Sequence, residues 1–162
     1  MKPSFRDVLA AWRWPLLVAF ITGLGLVIRL CMAWAMRYPA CNGDFSVIGL
    51  MARHMAEGVD YPFFAYGVAY MGSLEPGLSA LLARLLHVEV SAFIVNLSPA
   101  LVGTLLLPLL YLFGRDAGSR RAGLLAMLFC LVGSDTLLHN SVAPRGGYMN
   151  VMVCGLLALW LS

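Results

Sequence analysis

The chain has 162 residues, of which 61% are apolar and 12% charged, and its mean hydropathy of +0.85 excludes an ordinary soluble domain. A formal charge of +3 arises from basic residues gathered in particular loops; it reads as a membrane-topology signal, and no nucleic-acid partner is expected. The composition points to an all-α fold, an integral membrane helical bundle of about four spans, forming one membrane domain over residues 1–162.

Residues 14–36, WPLLVAFITGLGLVIRLCMAWAM, supply the ~20 apolar residues that a bilayer crossing needs, interrupted only by Arg29. Lys2, Arg6 and Arg13 precede this run as they would a signal peptide. Its apolar part is longer than a signal core of roughly 7–15 residues, and no small-x-small site follows cleanly, so it reads as a retained helix. An arginine inside a span costs roughly 2.5–3.5 kcal/mol on insertion scales. Arg29 is therefore expected to pair with a loop carboxylate such as Asp44, or with a lipid phosphate.

Residues 37–90 are more polar, and a loop of that length without structure of its own would be unusual. Val47, Leu50, Met51 and Met55 recur at helical spacing, with Arg53, His54 and Glu57 mostly elsewhere around the helix. This predicts an amphipathic interfacial helix over Ser46–Glu57, ended by Gly58. PGLSALLARLLH, residues 76–87, predicts a second, with Pro76 in its first turn and Ser73 or Glu75 as the cap. Between them lie Tyr61, Phe63, Phe64, Tyr66 and Tyr70, which suit an aromatic belt at the membrane interface and equally a groove for a sugar or an isoprenoid chain.

Further apolar runs cover residues 91–113 and 122–139, the latter with a polar end, and a fourth starts near Gly147 and is short for a span. Lys2, Arg6, Arg13, Arg115, Arg120 and Arg121 place the N-terminal tail and the loop RDAGSRR on the cytoplasmic side. Residues 37–90 and the segment around Arg145 then lie outside. Cys31, Cys41, Cys130 and Cys154 show no CxxC spacing and no paired histidines, and read as small apolar fillers.

Several polar residues in these outer segments suit chemistry. Asp44 stands where an N-cap belongs, and also at the mouth of whatever cavity the bundle forms, where a carboxylate can take a proton or bind a metal. Glu75 has the same two readings, first-turn acid or catalytic acid. His54 and Glu57 are three residues apart, weak grounds for a metal site. Arg145, between Pro144 and Gly146-Gly147, is placed to hold a phosphate bidentately, or to be an ordinary interfacial arginine, with Asp135, His139, Asn140 and Tyr148 nearby. There is no Walker loop, GxGxxG or HExxH to support nucleotide or zinc-protease chemistry.

GDFSVIGLMARHMAEG followed by PFFAYGVAYMGSLEP, behind an N-in first helix, resembles the N-terminal part of GT-C fold glycosyltransferases. More narrowly, it is similar to the bacterial group related to protein O-mannosyltransferases and aminoarabinose lipid A transferases. The resemblance runs from about residue 14 to 150 and is most specific in the outer loop. It implies transfer of a hexosyl or pentosyl unit from a polyprenyl-phosphate sugar donor to an extracytoplasmic acceptor, at a bacterial inner membrane. Asp44 would be the general base or acceptor-orienting acid, with Glu75 a second catalytic acid. Arg29, His54, Tyr66, Tyr70, Arg145 and Tyr148 would contact substrate. Many relatives carry a second acid directly after the first, and Phe45 stands there instead, so a paired-carboxylate role requires Glu75 to fold back. No cofactor is firmly implied; a divalent metal occurs in some relatives, and nothing in the sequence demands one. Members of the group are longer, so the chain is expected to be the N-terminal part of such a transferase. Membrane lipid and other membrane subunits are the remaining expected partners, and a small non-enzymatic scaffold or lipid-binding subunit is the alternative reading.

Overall fold

A computed structural model describes residues 5–37 and 43–162, with side chains from residue 12 onward. Helices account for its regular structure: α1 (Phe5–Ala35), α2 (Gly43–Glu57), α3 (Leu74–Leu86), α4 (Ala92–Ala117), α5 (Arg120–Val132), α6 (Asp135–Asn140) and α7 (Tyr148–Leu161). Among the described residues there is no strand, only an isolated antiparallel bridge between Phe64 and Gly72.

Among the described residues two helical stretches are long and apolar enough to cross a membrane, Trp12–Ala35 and Ala92–Ala117, of 24 and 26 residues. At ~1.5 Å per residue each exceeds the ~30 Å hydrocarbon layer. The apolar run at 122–139 is not one helix. α5 stops at Val132, Gly133 turns the chain at φ +40°, and the Ser134 side chain accepts from Leu137 N–H (3.2 Å) to start α6. Each piece is too short to cross by itself, as is the 14-residue apolar α7. Serine caps recur, since Ser119 accepts from Ala122 N–H (3.2 Å) ahead of α5 and Ser91 from Ile94 N–H (3.4 Å) ahead of α4.

α4 is the centre of the bundle, packed against α1, α3, α5 and α7. Its core is Leu106, Leu107 and Tyr111, against Ile21 of α1, Met127, Cys130 and Leu131 of α5, and Val153 of α7. α4 and α5 meet at Gly114 and Gly123, where a Cβ on Gly114 would come within 2.8 Å of the Gly123 Cα. Small residues at such crossings let backbones approach closely. α1 turns Trp12, Leu16, Phe20, Leu24, Val27 and Trp34 outward, an apolar face suited to lipid. Cys130 is buried, whereas Cys31 and Cys154 are exposed; the filler reading of Cys41 lies outside the described residues.

The two outer helices lie where the periodicity puts them. α2 ends at Gly58 (φ +78°), with Val59 N–H donating back to His54 O (2.9 Å). α3 ends at His87 in the left-handed region (φ 53°), with Val88 N–H on Ala83 O (3.0 Å). Ser73 takes the cap position of α3, as expected, though its side chain makes no capping bond, whereas Asp44 lies inside the first turn of α2 and not at its N-cap.

Candidate functional site

α2 packs on α3, and α3 on α4. Arg84 of α3 ties the pair together: its guanidinium donates to Met55 O (2.8 Å) and Ala56 O (2.9 Å), carbonyls in the last turn of α2, and to the Tyr61 hydroxyl (2.9 Å). The strap between the helices doubles back on itself, with Ala65 N–H on Met71 O (2.7 Å) and Ser73 N–H on Phe63 O (3.2 Å). This fold-back carries Tyr70 and Met71 toward the connection between α6 and α7.

A cavity of about 540 Å³ opens there, within the range of small-ligand sites. Asp44 of α2, Tyr70 and Met71 of the strap, Arg145 and Gly146 of the connection, and Tyr148 of α7 line it, and Val151 and Met152 add an apolar wall. Asp44, Tyr70, Arg145 and Tyr148 are all exposed side chains. Thus four residues singled out in the sequence, drawn from four separate segments, share one mouth. The Arg145 guanidinium lies 3.3 Å from His139 Nε2.

Glu75 lies behind this wall, only 2% exposed. Its Oε2 accepts the Gly147 N–H, and the N–H groups of Gly146 and Arg145 lie close enough to favour its charged form. Burial nevertheless pushes the Glu75 carboxyl up to about 7, against the lowering effect of those N–H groups. Its backbone is held as well, because Ser98 of α4 and Ser79 both donate hydroxyls to Glu75 O, at 3.3 and 3.1 Å.

The remaining sequence candidates are elsewhere. His54 Nδ1 and the Tyr66 hydroxyl are 3.0 Å apart, and that hydroxyl donates to Asp60 Oδ2 (3.0 Å), so the imidazole presents Nδ1–H to the phenol oxygen. Burial and Asp60 together push the Tyr66 phenol up. This relay braces the strap against α2 and is not part of the cavity wall. Glu57 pairs with Arg53 (2.7 Å), not with His54. Arg29 is 1% exposed inside the bundle. The pairing expected with Asp44 is not made; its Nη1 donates back to Gly25 O of its own helix (3.2 Å), and its buried Nε has no partner among the described residues.

Among the described residues no group of three or more His, Cys, Asp or Glu could hold a metal ion. Glu75 does not fold back beside Asp44 into a carboxylate pair, since its oxygens are turned to the 145–147 backbone. Met71 and Gly146 were missed as site residues. Gly146 has φ +76°, and a Cβ there would overlap the Met71 side chain. The Arg145-Gly146-Gly147 run was the available signal, because consecutive glycines mark backbone that must approach something closely.

Comparison with protein-family models, with curated proteins and with solved structures gives no match for this chain.

Proposed function

We propose that the cavity at the outer ends of α2, the strap and α7 is a sugar-transfer site of the GT-C type. It acts on a polyprenyl-phosphate-linked hexose or pentose at the extracytoplasmic face of a bacterial inner membrane, with the N-terminus cytoplasmic and residues 37–90 outside. The observation that carries this reading is the convergence of Asp44, Arg145, Tyr70 and Tyr148 on one cavity. In the reaction, Asp44 takes the proton of an acceptor hydroxyl as its oxygen attacks the anomeric carbon. The bond from that carbon to the carrier phosphate oxygen breaks, and the phosphate leaves with the electron pair. Arg145 is suited to bind that phosphate through paired N–H donors as its charge grows. Tyr70 and Tyr148 offer ring faces to the sugar. The exposed apolar face of α1 suits the surrounding lipid, which would also carry the donor.

The test is transfer of labelled sugar from its undecaprenyl-phosphate carrier in native membranes holding wild-type or Asp44→Asn protein. Loss of transfer by about 100-fold or more, with membrane insertion unchanged, is the expected result. Retained transfer would sink the role of Asp44. If undecaprenyl phosphate still binds while transfer ignores the substitution, the non-enzymatic lipid-binding subunit becomes the better reading.

A further inference from the structure

We propose that Glu75 is a positioning residue whose carboxylate latches the backbone of residues 145–147 and so holds the Arg145 side chain over the cavity. The inference rests on the preceding reading only in taking Arg145 as the phosphate contact.

Glu75 is 2% exposed and is not part of the cavity wall, so it does not reach a substrate there. Its Oε2 accepts the Gly147 N–H, with the N–H groups of Arg145 and Gly146 near enough to favour the charged carboxylate. The connection it grips is buried from Ser141 to Pro144 and leaves the interior only at Arg145, Gly146 and Gly147. Val142 and Ala143 N–H groups still bond His139 O at the end of α6, at 3.0 and 2.8 Å, and α7 resumes with Val151 N–H on Gly147 O (2.9 Å). Between those points stand two glycines in the left-handed region, at φ +76° and +91°, with no side chains to pack. Gly147 is also the cap position of α7 and has no side chain to cap with. Glu75 accepts instead from the N–H of the cap residue itself, from 72 residues away and at the positive end of the α7 dipole.

The carboxylate can act as a post because its own main chain is fixed. Ser98 bonds Glu75 O from the central helix, and Pro76, buried beside it, removes backbone freedom from the turn. Position therefore passes from α4, through α3 and one carboxylate, to the arginine at the cavity mouth.

The full chain in lipid nanodiscs allows two readouts: amide hydrogen exchange over residues 145–150, and binding of undecaprenyl phosphate. Glu75→Gln keeps an acceptor oxygen and is expected to hold the loop protected and keep most of the binding. Glu75→Leu offers no acceptor, and the 145–147 amides should exchange about 10-fold faster or more. Binding should then fall about as far as in Arg145→Gln, on the order of 10-fold. Glu75→Asp, of unchanged charge and one methylene shorter, is expected to resemble Leu, and it carries the test if the Leu variant does not fold. Unchanged exchange in Glu75→Leu or Glu75→Asp would overturn the latch. So would a Gln variant whose loop stays protected while binding collapses, since charge against the ligand would then be what matters. If exchange follows the expected order but Arg145→Gln binds undecaprenyl phosphate normally, the latch stands and the phosphate reading of Arg145 falls.

Discussion

Asp44 and Glu75 hold equivalent places in the sequence, each an acid in the first turn of an outer helix. Asp44 stays exposed and lines the cavity, whereas Glu75 is buried behind it with its oxygens turned to backbone N–H groups. The difference comes from what each helix start meets. α3 packs on the central helix, which draws its first turn inward, while the start of α2 faces the cavity mouth. Two acids with the same local rationale thus acquire different surroundings: one lines a cavity, the other meets the backbone of a loop.

The largest effect should separate them by activity. Asp44→Asn is expected to lower turnover by about 10²–10⁴-fold, and Glu75→Gln by less than about 10-fold, in single-turnover transfer at saturating donor. Equal damage from both would collapse the contrast into a catalytic pair. The next largest concerns pH. A carboxyl raised from 4.5 to about 7 on folding binds more protons folded than unfolded between those values. Its contribution to stability is therefore greatest below about pH 4.5 and falls as pH rises through 7, by roughly 3 kcal/mol in all. Melting temperature compared across pH 4.5–8 should show this fall in wild type and a shallower curve in Glu75→Gln; parallel curves would mean Glu75 is more hydrated than its burial implies.

Gly146→Ala tests the loop that Glu75 grips. A left-handed alanine costs about 1–2 kcal/mol, and its Cβ would meet Met71. Melting temperature should drop, and adding Met71→Ala should restore part of the loss; no restoration would place the whole cost in the backbone. Smallest is the effect of Asp44→Asn on folding, a first-turn acid being worth about 0.3–1 kcal/mol. Chemical denaturation would measure it, and a larger loss would make Asp44 a structural residue.

The outer helices were legible because periodicity, Gly58 and Pro76 all mark their limits within a few residues. The broken run at 122–139 was less so, since Gly133-Ser134-Asp135 reads equally as the polar end of one helix or as the stop of one and the start of another. For the site, the sequence named Asp44, Tyr70, Arg145 and Tyr148 but not the tie between Glu75 and residues 145–147. That tie is to main-chain N–H groups, which every residue but proline owns, so only the glycine pair hinted at it. Arg29 was misjudged because hydropathy reports that a charge lies in a span and not which way the side chain turns.

Arg29 also constrains how this sequence can vary over time. Its guanidinium fills space that glycines leave open: a Cβ on Gly103 would come within 3.2 Å of Nε and 3.0 Å of the Ser141 Cβ, and one on Gly25 within 3.2 Å of Nη1. Positions 29, 103 and 141 therefore form a unit in which one change bears on another, whereas Gly25 is hemmed in first by Leu107. An alanine at 103 would press on both Ser141 and Arg29, so positions 29, 103 and 141 should co-vary among homologous chains even though 29 and 103 belong to different helices.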